Sequence, residues 1–188
     1  MSWLMKSCAP RSVLLAFACL LTLRPTAPAQ LELDGPQHVF QDALLDRMAG
    51  AWKLSGKIMG RDASHSVEAE WILNHQFFRI HEKDDSPPAK DTPIPYEASV
   101  MIGYDNASER YVAHWTDVYG GRFSETLGYG TRSGNEIRFV FEYPDGPFHT
   151  AFVWQPDSGQ WKWLMQTKEK SGQWKPFADL TLDRRKSD

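Results

Sequence analysis

The chain has 188 residues, of which 41% are hydrophobic and 24% are charged, and its formal net charge is −3. With 8 Trp, 10 Phe and 6 Tyr, its aromatic content is too high for a disordered chain and is sufficient for the core of one globular domain. The small negative charge excludes a nucleic-acid partner held by bulk electrostatic attraction.

The N-terminus has the pattern of a cleaved export signal. Lys6 and Arg11 form a positively charged region before an apolar run over Val13–Leu23, and small residues follow at Ala27-Pro28-Ala29. The run is too short to cross a bilayer, which takes about 20 residues as a helix. We therefore predict a signal peptide over 1–29 and no membrane span. A single domain over 30–188 is then secreted or periplasmic.

Both cysteines, Cys8 and Cys19, lie within the predicted signal peptide. Cys19 sits inside the apolar run rather than after it, which favours ordinary cleavage over a lipid anchor on that residue. The mature chain then contains no thiol. Disulfide bonds, thiolate nucleophiles and thiolate metal sites are thereby excluded, although the compartment is oxidising.

One short helix is predicted near the start of the mature domain, and strands follow it. Leu31 to Gln37 is an extended lead-in, and apolar residues then recur at helical spacing from Val39 to Met48, ending at Gly50. Beyond that point aromatic and polar residues alternate between turn signals such as Gly120-Gly121, which predicts an antiparallel meander. The predicted strands lie at about 51–59, 65–73, 76–84, 95–104, 109–118, 122–131, 135–143, 147–155, 160–169 and 173–183.

The two ends of this meander carry a closure pattern. Gly50-Ala51-Trp52 stands where the helix enters the first strand, and Arg184 and Arg185 end the last strand. This arrangement is similar to the G-x-W opening of lipocalin-like (calycin) barrels, in which a basic side chain covers the indole. A guanidinium above an indole is attracted to the ring. The fold class is therefore all-β: a ten-stranded, up-and-down antiparallel barrel with one short N-terminal helix.

A second set of motifs lies in the middle of the chain: Gly103-Tyr104-Asp105-Asn106, Arg110-Tyr111-Val112 and Trp115-Thr116-Asp117. They resemble the central signature of a bacterial domain-of-unknown-function family, number fifteen seventy-nine, over roughly residues 45–184. The resemblance implies a calycin-like barrel, either secreted or cytosolic, and carries no settled activity. The sequence departs from the family pattern at His75-Gln76, where paired glycines are usual.

Motifs for catalysis and cofactors are absent from the sequence. It has no G-x-S-x-G, H-E-x-x-H, P-loop or dinucleotide fingerprint, so we predict neither an enzyme nor a cofactor. Two or three histidines, from among His75, His81, His114 and His149, could meet inside a barrel and hold a metal. Six histidines in 188 residues is an ordinary number, however, and strand ends are usually solvated, so we predict no metal site. An enzyme remains a third possibility, because a barrel with histidines and carboxylates can host acid–base chemistry.

A haem-binding barrel related to nitrobindin is an alternative within the same fold. Such proteins resemble this chain in strand number and in their G-x-W-like opening, and they hold haem through a histidine near the end of the chain. Here no histidine follows His149. The resemblance to nitrobindin therefore supports the barrel fold but does not support haem binding.

Charges on predicted apolar strand faces indicate a ligand site. Arg79 lies between Phe77 and His81 on one strand face, and Glu125 lies between Phe123 and Leu127 on another. The cost of burying these two charges falls if they pair. We predict a cavity near the barrel mouth, beside the proline-rich stretch 84–95, with Arg79 paired to Glu125. The predicted ligand contacts are Arg79, His81, His114, Trp115 and Glu125, and the predicted aromatic lining is Trp71, Phe77, Trp115, Phe139 and Phe152.

Two functions follow from this pattern. The first is a carrier or binder of a small apolar or amphipathic ligand. The second is a ligand-free structural or interaction module of the cell envelope, in which these strand faces point outward. An empty, aromatic-lined interior favours the first function and a filled interior favours the second.

Processing can be tested directly. The mature protein should begin at Gln30 and contain no thiol, because cleavage after Ala29 removes both cysteines. N-terminal mass mapping of protein purified from its host measures this. An intact Met1, or a lipid on Cys19, would show that the signal has been misread.

Overall fold

A computed structural model describes residues 39–87 and 94–185 of the chain. The predicted signal peptide at 1–29 and the predicted lead-in at 31–37 lie outside the described residues. The described residues all belong to one unit, Pro36–Asp188.

Ten antiparallel strands form a closed barrel in which each strand pairs with the next and the last pairs with the first. The helices are α1 (Ala43–Met48) and α2 (Gly121–Ser124). The strands are β1 (Gly50–Ile58), β2 (Arg61–Ile72), β3 (Phe77–Asp84), β4 (Glu97–Asp105), β5 (Arg110–Asp117), β6 (Leu127–Ser133), β7 (Glu136–Tyr143), β8 (Gly146–Gln155), β9 (Gln160–Lys168) and β10 (Trp174–Arg184). The predicted up-and-down barrel with a short N-terminal helix is confirmed.

Helix α1 closes one end of the barrel, which we call the helix end; the opposite end is the mouth. The carboxylate of Asp42 caps the helix by accepting hydrogen bonds from the backbone N–H groups of Leu44 and Leu45. Leu44, Leu45 and Met48 are buried against the barrel. A helix of six residues has little stability of its own, so this burial and the cap hold it in place.

Trp52 and Arg184 form the predicted closure. The Trp52 indole is fully buried, and its N–H donates to the carbonyl of Met48 at 2.6 Å. The guanidinium of Arg184 lies 4.2 Å from the centre of the indole ring. It also donates to the carbonyls of Arg47 and Ala49, at 2.8 and 3.1 Å, at the C-terminus of α1. One side chain therefore joins the last strand, the first strand and the helix.

Side chains fill the barrel interior. Its largest fully buried members are Trp52, Trp161, Trp163, Phe78, Phe139, Phe141 and Phe152. Two glycines of β6 make room for this packing: a Cβ atom on Gly128 would lie 2.5 Å from the ring of Phe141, and one on Gly130 would lie 2.6 Å from that of Phe139. Each ring belongs to the residue paired with that glycine across the sheet. This filled interior is the arrangement expected of a structural module.

The sixth strand differs from its prediction. The sequence predicted a strand at 122–131, whereas helix α2 occupies 121–124 and β6 begins at Leu127. Gly120 adopts a φ of 77°, which favours glycine, and starts a tight turn. The Ser124 hydroxyl donates to the carbonyl of Gly120 at 3.1 Å, which stabilises a helical turn where pairing with β5 was expected.

Removal of the closing indole should destabilise the barrel strongly. Trp52→Ala should lower the unfolding free energy by about 3–5 kcal/mol, because it opens a large cavity at the helix end. Arg184→Ala should cost about 0.5–2 kcal/mol, because it removes the cation–π contact and two hydrogen bonds. Denaturant titration measures both changes. An unaltered midpoint for Trp52→Ala would contradict the closure.

Candidate functional site

A groove of about 640 Å³ opens at the helix end, beside the start of α1. It lies where the chain enters α1, the β4–β5 turn and the end of β6 meet. Its lining consists of Val39, Phe40, Gln41, Asp42, Gln76, Tyr104, Asn106, Glu109, Tyr111, Thr131 and Arg132. We call it the α1 groove.

The buried carboxylate of Asp42 organises the groove. Asp42 is 5% exposed, and besides capping α1 it accepts a hydrogen bond from the Tyr111 hydroxyl. Arg132 donates to the same carboxylate, with 3.1 Å between Nη1 and Oδ1. Burial raises the pKa of Tyr111, and the bond to Asp42 raises it further. The phenol therefore stays neutral and donates, which ties β5 and β6 to the helix.

Aromatic rings form one wall of the groove. Phe40 and Tyr104 stack with their ring centres 5.7 Å apart, and Tyr104 meets Tyr111 edge to face at 5.2 Å. Trp71 packs its ring against the edge of Phe40 at 5.3 Å and donates its indole N–H to Asp46 at 2.9 Å. These contacts hold the rings in defined orientations.

Arg132 is the cationic group of the groove. Its side chain is 38% exposed, and its Nε donates to the carbonyl of Gly134 at 3.2 Å. Together with the bond to Asp42, this fixes the guanidinium at the end of β6. Glu109, on the β4–β5 turn, is exposed and contributes a negative charge to the lining.

Four of the five predicted ligand contacts lie outside the barrel interior. Arg79 and His81 are on the outer face of β3, because Phe78 and Ile80 take the inward positions. Arg79 forms an ion pair with Glu70. The predicted pairing of Arg79 with Glu125 is therefore wrong.

The other predicted contacts are also dispersed. His81 pairs with Glu97 at 2.7 Å, and the Nε2 of His114 lies 2.9 Å from the carbonyl oxygen of Ser124. Glu125 follows α2 and is exposed. Trp115 alone of the five faces the interior, where it is 8% exposed. The structure thus does not bring these five side chains together.

The predicted aromatic lining is likewise divided. Phe139 and Phe152 are buried in the packed interior, and Trp71 lies at the helix end. Phe77 is 38% exposed, on the outer face of β3. These rings therefore do not enclose a common empty cavity.

Buried and partly buried polar groups lie together at the mouth. We define the mouth cluster as His65, Glu82, Tyr96, Trp115 and Asp117. The Nδ1 of His65 lies 2.5 Å from a carboxylate oxygen of Glu82, and the two side chains are only 7% and 3% exposed. This pair links β2 to β3, directly beside the first residues that follow β3.

The surroundings of the cluster shift several pKa values. Burial alone would lower the pKa of His65, but Glu82, Asp84 and Asp85 outweigh burial and raise it. Burial raises the pKa of Asp117, although the backbone N–H of Tyr119 donates to its carboxylate at 2.9 Å. Burial also raises the pKa of Tyr96. Glu82, with Asp84 and Asp85, therefore favours the protonated form of His65.

Sequence reasoning missed the groove, although part of its signal was present. Tyr104, Asn106 and Tyr111 belong to the motifs on which the family resemblance rests. Asp42 lies within the predicted helical pattern that starts at Val39, whereas the helix begins at Ala43 and Asp42 is its N-cap. Nothing in the local sequence singles out Arg132, whose partner is 90 positions away.

The fold and this groove define a closed ten-stranded antiparallel barrel with a lined recess at its helix-capped end. The model of the family described as "Protein of unknown function (DUF1579)" matches residues 37–184. The chain belongs to this family, which is the one that its central motifs resemble. No curated protein matches the chain. Over residues 39–87 and 94–185, none of the helices has the length and apolar character to span a membrane.

The buried His65–Glu82 pair should make stability depend on pH. The raised pKa of His65 means that its stabilisation is complete below 6.5, its ordinary pKa, and is lost as the pH rises through the raised value. His65→Gln should therefore cost most at low pH, about 3–5 kcal/mol, and less at alkaline pH.

Denaturant titrations between about pH 5.5 and 9 measure this difference, across a range in which histidine titrates. The control is His81→Gln, which removes the pair with Glu97 and should change stability far less, because that pair is more accessible to screening by solvent than the His65–Glu82 pair. A cost of His65→Gln that is constant, or that grows with pH, would contradict the assignment.

Proposed function

We propose that the protein is an exported binding protein for a small amphipathic ligand, that the ligand occupies the α1 groove, and that the protein is not an enzyme. The volume of the groove, about 640 Å³, carries this proposal. It lies within the range of about 300–1,000 Å³ that is usual for small-molecule sites. Because side chains fill the interior, a ligand has room at the end of the barrel rather than inside it.

The lining of the groove supports an amphipathic ligand. Phe40, Tyr104 and Tyr111 offer aromatic surface, while Asp42 and Arg132 are polar groups whose positions the hydrogen bonds fix. Aromatic surface binds the apolar part of a ligand, and a few fixed polar groups orient it. Preorganisation of these groups lowers the entropic cost of binding.

The composition of the groove also supports binding over catalysis. Its described lining contains no histidine, cysteine or serine, and its carboxylates are Asp42 and the exposed Glu109. The buried Asp42 is occupied by three structural roles, since it caps α1 and binds Tyr111 and Arg132. Export remains part of the proposal because of the N-terminal signal pattern.

The second candidate function is a ligand-free structural module of the cell envelope. The observation that favours it is the packed interior, in which Trp52, Trp161 and Trp163 are fully buried. If the protein has this function, the groove is a surface depression that binds no ligand. A binding experiment separates the two candidates.

A ligand should bind with micromolar affinity, equivalent to about −8 kcal/mol. Calorimetric titration with a panel of fatty amines, fatty acids, isoprenoids and aromatic acids measures this, and Trp fluorescence reports it because Trp71 contacts the groove residue Phe40. Tyr104→Ala should weaken binding about tenfold, because it removes an aromatic contact.

The matched control is Tyr129→Ala, which removes an exposed tyrosine of β6 that is outside the groove lining. Its affinity should equal that of the unaltered protein. Native mass spectrometry of protein from its own host provides an independent measurement. If the measured mass is that of the protein alone and no member of the panel binds, the binding function is contradicted and the structural module is the function that stands.

A further inference from the structure

We infer that the α1 groove recognises a neutral saccharide, either a mono- or disaccharide or the sugar part of a larger amphipathic molecule. This inference rests on the proposed function. The inference comes from the chemistry of the lining, which combines planar polar side chains with aromatic rings. A pyranose has the same two characters, since its C–H face is apolar and its rim carries hydroxyl groups.

The polar lining suits hydroxyl groups. Gln41 and Asn106 carry amides, and Thr131 carries a hydroxyl, so each can both donate and accept hydrogen bonds. A sugar hydroxyl also does both. All three side chains are exposed at the groove, where a ligand can reach them.

Arg132 adds fixed donors. Asp42 and the carbonyl of Gly134 take two of its N–H bonds, at 3.1 and 3.2 Å, and hold the guanidinium in place. A guanidinium has five N–H donors in a planar fork. The remaining N–H donors of Arg132 can bond to two adjacent hydroxyl oxygens, in the way that a guanidinium binds other oxygen pairs bidentately.

The aromatic wall suits the apolar face of a sugar ring. Phe40 and Tyr104 line the groove, are half-buried and are held by mutual stacking at 5.7 Å. Flat rings that are fixed in this way bind a flat apolar surface without further ordering cost.

Charge and polarity argue against other ligands. Arg132 is neutralised by Asp42, and Glu109 adds a negative charge, so a carboxylate or phosphate gains no net attraction. A long alkyl chain would need continuous apolar surface, whereas polar side chains make up most of the lining. A neutral polyhydroxylated ligand needs neither a net positive charge nor a continuous apolar surface.

The test uses the mature protein and a panel of glucose, galactose, mannose, maltose and cellobiose. Saturation-transfer NMR detects binding and calorimetry measures the affinity. At least one saccharide should bind, and Tyr104→Ala should reduce its affinity about tenfold, whereas Tyr104→Phe, which keeps the ring, should change it less than about threefold. Tyr129→Ala should have no effect.

Thr131→Val is a second variant for the polar wall. It keeps the shape of the side chain and removes its hydroxyl, so the fold should persist while saccharide affinity falls about threefold or more. Circular dichroism of each variant confirms folding.

The possible failures are distinct. If no saccharide binds but an apolar amine, acid or isoprenoid binds and is weakened by Tyr104→Ala, the saccharide inference is overturned and the binding function stands. If a saccharide binds equally well to Tyr104→Ala, its site is not the groove and the inference is also overturned. If nothing in either panel binds, both proposals fall.

Discussion

The carboxylate of Asp42 is buried at the point where helix, sheet and groove meet, and the geometry of the helix end depends on it. Burial of an ionised carboxylate is costly unless donors surround it. Here two backbone N–H groups of α1, the Tyr111 hydroxyl and the Arg132 guanidinium supply them. Because these donors come from α1, β5 and β6, one charge sets the position of all three. The same bonds aim Tyr111 and Arg132 at the groove, so the features that stabilise the barrel also shape its recess.

Most of the fold could be predicted from the sequence because local patterns determine it. The two-residue alternation and the turn signals indicated ten strands, and the G-x-W opening with its terminal arginine indicated how the barrel closes. Two features of the fold were not predicted correctly. Alternation shows that Phe77 and Phe78 face opposite sides of β3, but it does not show which of them faces inward. Because Phe77 was predicted to face inward, Arg79 and His81 were predicted to face the interior with it. Apolar Phe123 and Leu127 also suggested a continuous strand across what is a helical turn followed by β6.

The groove depends on contacts that no local pattern contains. Asp42 reaches Tyr111 across 69 positions and Arg132 across 90, so their meeting follows from barrel closure and not from spacing. Sequence reasoning placed the candidate site where aromatic and charged residues alternate. On a barrel wall, that alternation is equally typical of an outer face, on which ions such as Arg79 and Glu70 pair in solvent. The acidic and basic side chains that are buried in the described residues are instead Asp42, Glu82 and His65.

The contact of Arg184 with α1 has a consequence for the order in which the chain is made. Its Nη1 bonds to the carbonyl of Ala49 across 135 positions, and β1 pairs on one side with β10. During synthesis from the N-terminus, α1 and β1 emerge before β2 to β10, and they lack these partners until β10 has emerged. One edge of β1 therefore stays open while β2 to β9 are made, and it can pair with another chain during that time. Closure of the barrel waits for β10, and a chain truncated before β10 retains an unpaired edge on β1.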